Sequence, residues 1–73
     1  MIDFSEKCEV LGQLIIDSDY IGRIPPELVD FVNEDNFILN LAWCIKMKYA
    51  EPNNKTIELI DNSYRTYLEL LGK

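Results

Sequence analysis

The sequence predicts an all-α fold: a small bundle of three main helices plus one short helix, in a single domain that spans residues 1–73. Apolar residues recur at spacings of three and four, which is the period of one helix face, and no alternating run suggests a strand. Clusters of turn-forming residues separate these periodic segments. Hydrophobic residues make up 48% of the chain and charged residues 27%, a composition typical of a globular domain.

The first helix is predicted to begin at a capping box formed by Asp3 and Glu6, with Ser5 as a rival cap, and to end near Asp17. Its inner face has the spacing of one helical side and consists of Phe4, Cys8, Leu11, Leu14 and Ile15. Gly12 lies within this pattern, where glycine costs about 1 kcal/mol relative to alanine. It therefore either weakens the helix or marks a close contact with another helix.

A connection and a short helix are predicted to follow. Residues 18–25 are rich in turn formers, and the proline pair that ends with Pro26 prevents a helix immediately before it. The short helix should run from Glu27 to about Val32 and direct its apolar side chains to the core. The polar residues 33–36 are expected to stop it and to supply the N-cap of the next helix.

The last two helices are predicted to form an antiparallel hairpin. The central helix should cover residues 37–49, and residues 50–54, which include a proline, should break it. The last helix should cover residues 55–71 and end at Gly72. Its apolar stripe contains Ile57, Ile60, Tyr64, Tyr67, Leu68 and Leu71. The short break favours antiparallel packing of the two helices.

The central helix is apolar on nearly every side, so in a chain of 73 residues it must be wrapped by other helices, by a second copy or by a partner. One side, which contains Ile38, Leu41, Ala42 and Ile45, is expected to meet the last helix. The other side contains Leu39, Trp43 and Met47, and it is left for the first helix or for an outside surface. These three residues are the candidate apolar interface, and they predict a protein partner or a homodimer.

Charge is unevenly distributed along the chain. Seven basic and thirteen acidic residues give a net charge of −6, which argues against direct binding of nucleic acid or anionic membranes. The candidate acidic patch comprises Asp17, Asp19, Glu27, Asp30, Glu34 and Asp35. Two interpretations stay open: a solvated face attracted to the more basic second half, or an acidic inhibitor that mimics nucleic acid in a basic groove of another protein.

Residues suited to catalysis are scarce. The chain has no histidine, the usual general base and metal ligand near neutral pH. Residues 17–22 match the start of a calcium loop but fail at later ligand positions, where Ile21 and Leu28 stand. Cys8 and Cys44 are expected to be reduced, buried thiols. We therefore expect a protein that is not an enzyme, without metal or cofactor, and, since no secretory signal or membrane span is recognised, one that is cytoplasmic.

Several segments together suggest a family. The pattern of residues 30–36, then Leu39 to Trp43, a Glu51-Pro52 connector and the closing residues 67–72 resembles small acidic uncharacterised proteins of marine tailed phages and bacteria. Phe4 to Cys8 extends the likeness, whereas residues 38–40 replace an expected Gly-Pro pair. The resemblance implies a stand-alone small protein of a bacterial or phage-infected cell. It implies no catalytic residue.

Overall fold

The computed structural model describes residues 3–20 and 22–72, and within these ranges it contains four α-helices and no strand. The helices are α1 (Phe4–Asp17), α2 (Val29–Glu34), α3 (Asn36–Lys46) and α4 (Asn54–Leu70), and a 3₁₀ turn, Pro26–Leu28, leads into α2. This confirms the predicted all-α bundle of three main helices and a short one. Ile21, the fifth position of the calcium-loop pattern, lies outside the described residues.

Side chains cap two of the helices at their N-termini. The Asp3 carboxylate accepts a hydrogen bond of 2.9 Å from the Glu6 backbone N–H, which confirms Asp3 as the cap of α1. Asn53 plays the same part for α4, where its side-chain oxygen accepts from the Thr56 N–H at 2.9 Å. Each cap provides a partner for a backbone donor that the first turn of a helix leaves unpaired.

The break between α2 and α3 is shorter than predicted. A single residue, Asp35, separates the two helices, whereas residues 33–36 were expected to lie between them. The Asp35 N–H donates to the Phe31 carbonyl and its own carbonyl accepts from the Leu39 N–H, each at 2.9 Å. Because backbone hydrogen bonding is almost continuous through the junction, α2 directs the chain straight into α3 with only a bend. The Asp35 side chain makes no hydrogen bond that caps α3.

Helix α3 ends at Lys46, three residues before the predicted end. The Lys48 N–H donates to the Ile45 carbonyl at 3.0 Å and the Tyr49 N–H to the Cys44 carbonyl at 2.9 Å. This pair of bonds is a Schellman motif, which requires a left-handed residue directly after the C-cap. Lys48 occupies that position with φ of 65°. The sequence signal for such a stop is usually glycine, so the prediction placed the end too late.

The core lies between α1, α3, α4 and the short helical segment. Its buried apolar side chains are Cys8, Leu11, Leu14, Leu28, Phe31, Val32, Leu39, Ala42, Ile60 and Tyr64. Helix α3 contacts α1, α2 and α4, which confirms its central place. Its contact with α1 is much more extensive than its contact with α4, so α1 rather than α4 provides most of its cover.

Candidate functional site

The three residues of the candidate apolar interface occupy different environments. Leu39 is fully buried, Trp43 is partly buried, and Met47 is 42% exposed. A Cβ atom on Gly12 of α1 would lie 3.1 Å from the Trp43 Cα, so the two helices approach closely at this point. The side that contains Leu39 and Trp43 therefore packs on α1. Of the two alternatives that the sequence left open for this side, the first helix covers Leu39, which therefore belongs to the core and not to a surface interface.

A third side of α3 carries Phe37, Leu41 and Cys44, which we call the outward face of α3. Phe37 is 71% exposed, and Leu41 and Cys44 are partly buried. At about 100° per residue, the three positions fall within about 60° of one another on an ideal helix. Leu39 and Ala42, both 0% exposed, lie on the opposite side. Among the described residues, Phe37 is the most exposed large side chain without a polar atom.

Sequence reasoning missed this face because it considered only the side that contains Leu41 and the side that contains Trp43, and it assigned Phe37 to neither. On an all-round apolar helix the hydrophobic positions do not distinguish one side from another. The polar positions provide the missing signal: Asn36 and Asn40 border Phe37, and their side chains hydrogen-bond each other at 3.4 Å on the exposed surface. These two asparagines mark the side of α3 that faces away from the core.

The two thiols differ in accessibility. Cys8 is fully buried, as predicted. Cys44 was also predicted to be buried, but it is only partly buried. Burial, with a smaller effect of the Asp61 charge, raises the pKa of the Cys8 thiol to about 11. Cys8 is therefore protonated and unreactive near neutral pH. Cys44 is the thiol that reagents and partners can reach.

The acidic patch is centred on the short helical segment. Glu27, Asp30 and Glu34 are exposed at spacings of three and four, and the core residues of this segment face the other way. Asp19 is also exposed, and Asp17 and Asp35 are partly buried. None of the six makes an ion pair within the described parts of the chain. Direct pairing with bases of the second half therefore does not explain the charge asymmetry.

One ion pair joins two helices. The Lys7 ammonium on α1 lies 3.1 Å from the Asp61 carboxylate on α4, and both side chains are partly exposed. The same ammonium lies 5.9 Å from the centre of the Tyr64 ring. Because solvent screens such a pair, its contribution to stability is at most about 1 kcal/mol. It joins α4 to α1 and involves none of the acids of the patch, of which Asp17 accepts a hydrogen bond from the Gln13 side chain at 3.0 Å.

Two further features bear on the class of protein. In the ranges 3–20 and 22–72, no group of three or more cysteines and carboxylates is placed to hold a metal ion. None of the helices in those ranges has the length and apolar character needed to cross a membrane. Comparison with known proteins gives no family model, no curated protein and no solved structure that matches this chain. The surfaces described above are therefore the basis for a functional proposal.

Proposed function

We propose that the protein is a non-catalytic protein–protein interaction module that binds a second copy or another protein through the outward face of α3. The observation that carries this proposal is the exposure of Phe37, which is 71% accessible at the start of that face. Transfer of a phenylalanine side chain from water to an apolar contact contributes about 1.5–3 kcal/mol. A partner that covers this face gains that free energy.

Phe37 differs from Tyr49, the other described aromatic residue that is more than 70% exposed. Tyr49 is 73% exposed, but its hydroxyl group can hydrogen-bond to water and its ring lies 5.9 Å from the Trp43 ring. Phe37 has no polar atom in its side chain, and Leu41 and Cys44 extend its apolar surface along α3. An apolar centre bordered by polar residues is typical of protein interfaces. Asn40 provides such a border here.

The test compares Phe37→Ser with Tyr49→Ser, two variants that each remove one exposed aromatic ring. Phe37→Ser should weaken association about tenfold to a hundredfold for each Phe37 side chain that the complex buries, as expected from the burial free energy of that side chain. Tyr49→Ser should leave association within a few-fold of wild type. Light scattering after size exclusion measures self-association, and titration calorimetry with a co-purified protein measures hetero-association. Equal association by wild type and Phe37→Ser would contradict the proposal.

The cellular setting is also a proposal. We place the protein in the cytoplasm of a bacterial or phage-infected cell, where the partner would be a host or phage protein. The sequence resemblance to small acidic proteins of marine tailed phages and bacteria is the support for this setting. The residues proposed for the interface are chosen from their exposure and not from this resemblance.

An acidic inhibitor that occupies a basic groove is the second candidate. The observation in its favour is the row of exposed carboxylates at Glu27, Asp30 and Glu34, which have no ion-pair partner among the described residues. Binding through this row should weaken strongly between low and physiological ionic strength, because salt screens exposed charges. Binding through the outward face of α3 should hardly respond to salt. The two surfaces are thus distinguished by one titration series.

A further inference from the structure

We infer that the outward face of α3 is covered by the same face of a second copy, with the two α3 helices antiparallel about a two-fold axis. This inference rests on the proposed function and specifies its partner. A two-fold axis uses one self-complementary patch on both copies, which is the commonest arrangement of soluble homodimers. The charges and side-chain sizes along α3 fit this arrangement.

The two ends of α3 carry opposite charge. Glu34 precedes the helix and Lys48 follows its C-cap, and both are exposed. Asp35 and Lys46 lie on the opposite side of an ideal helix from Phe37 and do not contribute to this face. In an antiparallel pair, the acidic end of each helix lies beside the basic end of the other. A parallel pair would bring like charges together at both ends. Antiparallel packing also places the opposite ends of the helix dipoles side by side, which is favourable.

Side-chain size fits the same arrangement. Phe37 and Cys44 lie at the two ends of the outward face, and the midpoint between them falls next to Leu41. An antiparallel pair centred there sets Phe37 of each copy against Cys44 of the other. A large ring then meets a small side chain, and sulfur–aromatic contact is favourable. A parallel pair would instead set the two Phe37 rings against each other and leave a gap between the two small thiols.

Disulfide trapping tests the orientation. In the antiparallel pair, the two copies of position 41 lie close to the axis, whereas the two Cys44 residues are about seven residues, or roughly 10 Å, apart along the helices. A disulfide requires a Cα–Cα separation below about 7 Å. We expect Leu41→Cys combined with Cys44→Ser to form a covalent dimer on oxidation. The wild-type chain, with its outward thiol at Cys44, should remain a single chain on a non-reducing gel.

The controls separate failure of the orientation from failure of the proposed function. Phe37→Ser added to the Leu41→Cys and Cys44→Ser chain should abolish the covalent dimer, because it removes the apolar contact. Covalent dimerisation of wild type through Cys44 would overturn the antiparallel arrangement. A wild-type mass of one chain at every concentration would overturn self-association. The binding of another protein, with its dependence on Phe37, would then decide the proposed function independently.

Discussion

At the scale of single residues, Gly12 determines which side of α3 packs against α1. A Cβ atom at this position would lie 3.1 Å from the Trp43 Cα and 3.3 Å from its Cβ. Glycine therefore allows α1 and α3 to approach closely, at a cost of about 1 kcal/mol in helix propensity. The sequence left open whether Gly12 marked a weak helix or a close contact, and the structure shows the contact. Trp43 is consequently a packing residue.

The buried Cys8 thiol makes stability depend on pH. Its pKa is raised in the folded state from 9.0 to about 11, so the unfolded chain releases this proton at a lower pH than the folded chain. The stabilisation is complete below pH 9.0 and is lost as the pH rises to about 11. Within this interval the unfolding free energy should fall by up to about 1.4 kcal/mol per pH unit. Urea denaturation at several pH values measures the decrease.

Cys8→Ala is the matched control for this pH dependence. It removes the thiol but retains the tyrosines and lysines that titrate over the same interval. Its unfolding free energy should decrease less steeply than that of wild type as the pH rises. Identical slopes for the two proteins would show that the Cys8 thiol ionises equally in the folded and unfolded states.

At the scale of helices, the C-terminus of α3 ends in a strained residue. Lys48 has φ of 65°, a conformation that costs residues other than glycine about 1–2 kcal/mol. The contact between Tyr49 and Trp43, with ring centres 5.9 Å apart, accompanies the Schellman motif and holds this conformation. The helix stop thus depends on an aromatic contact and two backbone hydrogen bonds, in the absence of the usual glycine.

Lys48→Gly should therefore stabilise the protein. The free energy gained by relieving the left-handed strain exceeds the entropic cost of ordering glycine on folding. The unfolding free energy should therefore rise by about 1 kcal/mol. Lys46→Gly removes the same charge from within the last turn of α3, where glycine should lower the unfolding free energy by about 1 kcal/mol. Thermal and urea unfolding measure both changes. A decrease for both variants would contradict the account of the helix end.

The sequence predicted the existence of every helix, and its errors concern particular boundaries. The start of α1 at Phe4 followed from the local cap by Asp3. Helix α4 begins at Asn54, one residue before the predicted start, with Asn53 as its cap. The end of α3 was missed because a left-handed lysine has no compositional signal. The α2–α3 junction was missed because backbone hydrogen bonds on both sides of Asp35 outweigh the turn preference of its polar neighbours.

At the scale of the whole molecule, α3 has more apolar surface than one small chain covers. The sequence predicted this surplus from the run of apolar residues, but the side that is left uncovered depends on how α1 packs. Leu39 was expected in the interface and is in the core, whereas Phe37 is 71% exposed. The hydrophobic positions alone do not distinguish the two faces, because the choice depends on tertiary contacts. Only the exposed Asn36 and Asn40 mark the side that faces away from the core. Of the six acidic residues, Asp19, Glu27, Asp30 and Glu34 are exposed, whereas Asp17 and Asp35 are partly buried.

The measurement that tests the outward face most directly is the alkylation rate of the Cys44 thiol at increasing protein concentration. Cys44 lies on that face, and the buried Cys8 thiol does not interfere because its pKa is raised to about 11. In wild type the rate should fall as the chain associates, and in Phe37→Ser it should stay constant. A Cys44 rate that is the same at every concentration, while the solution mass of wild type doubles, would contradict the assignment of this face.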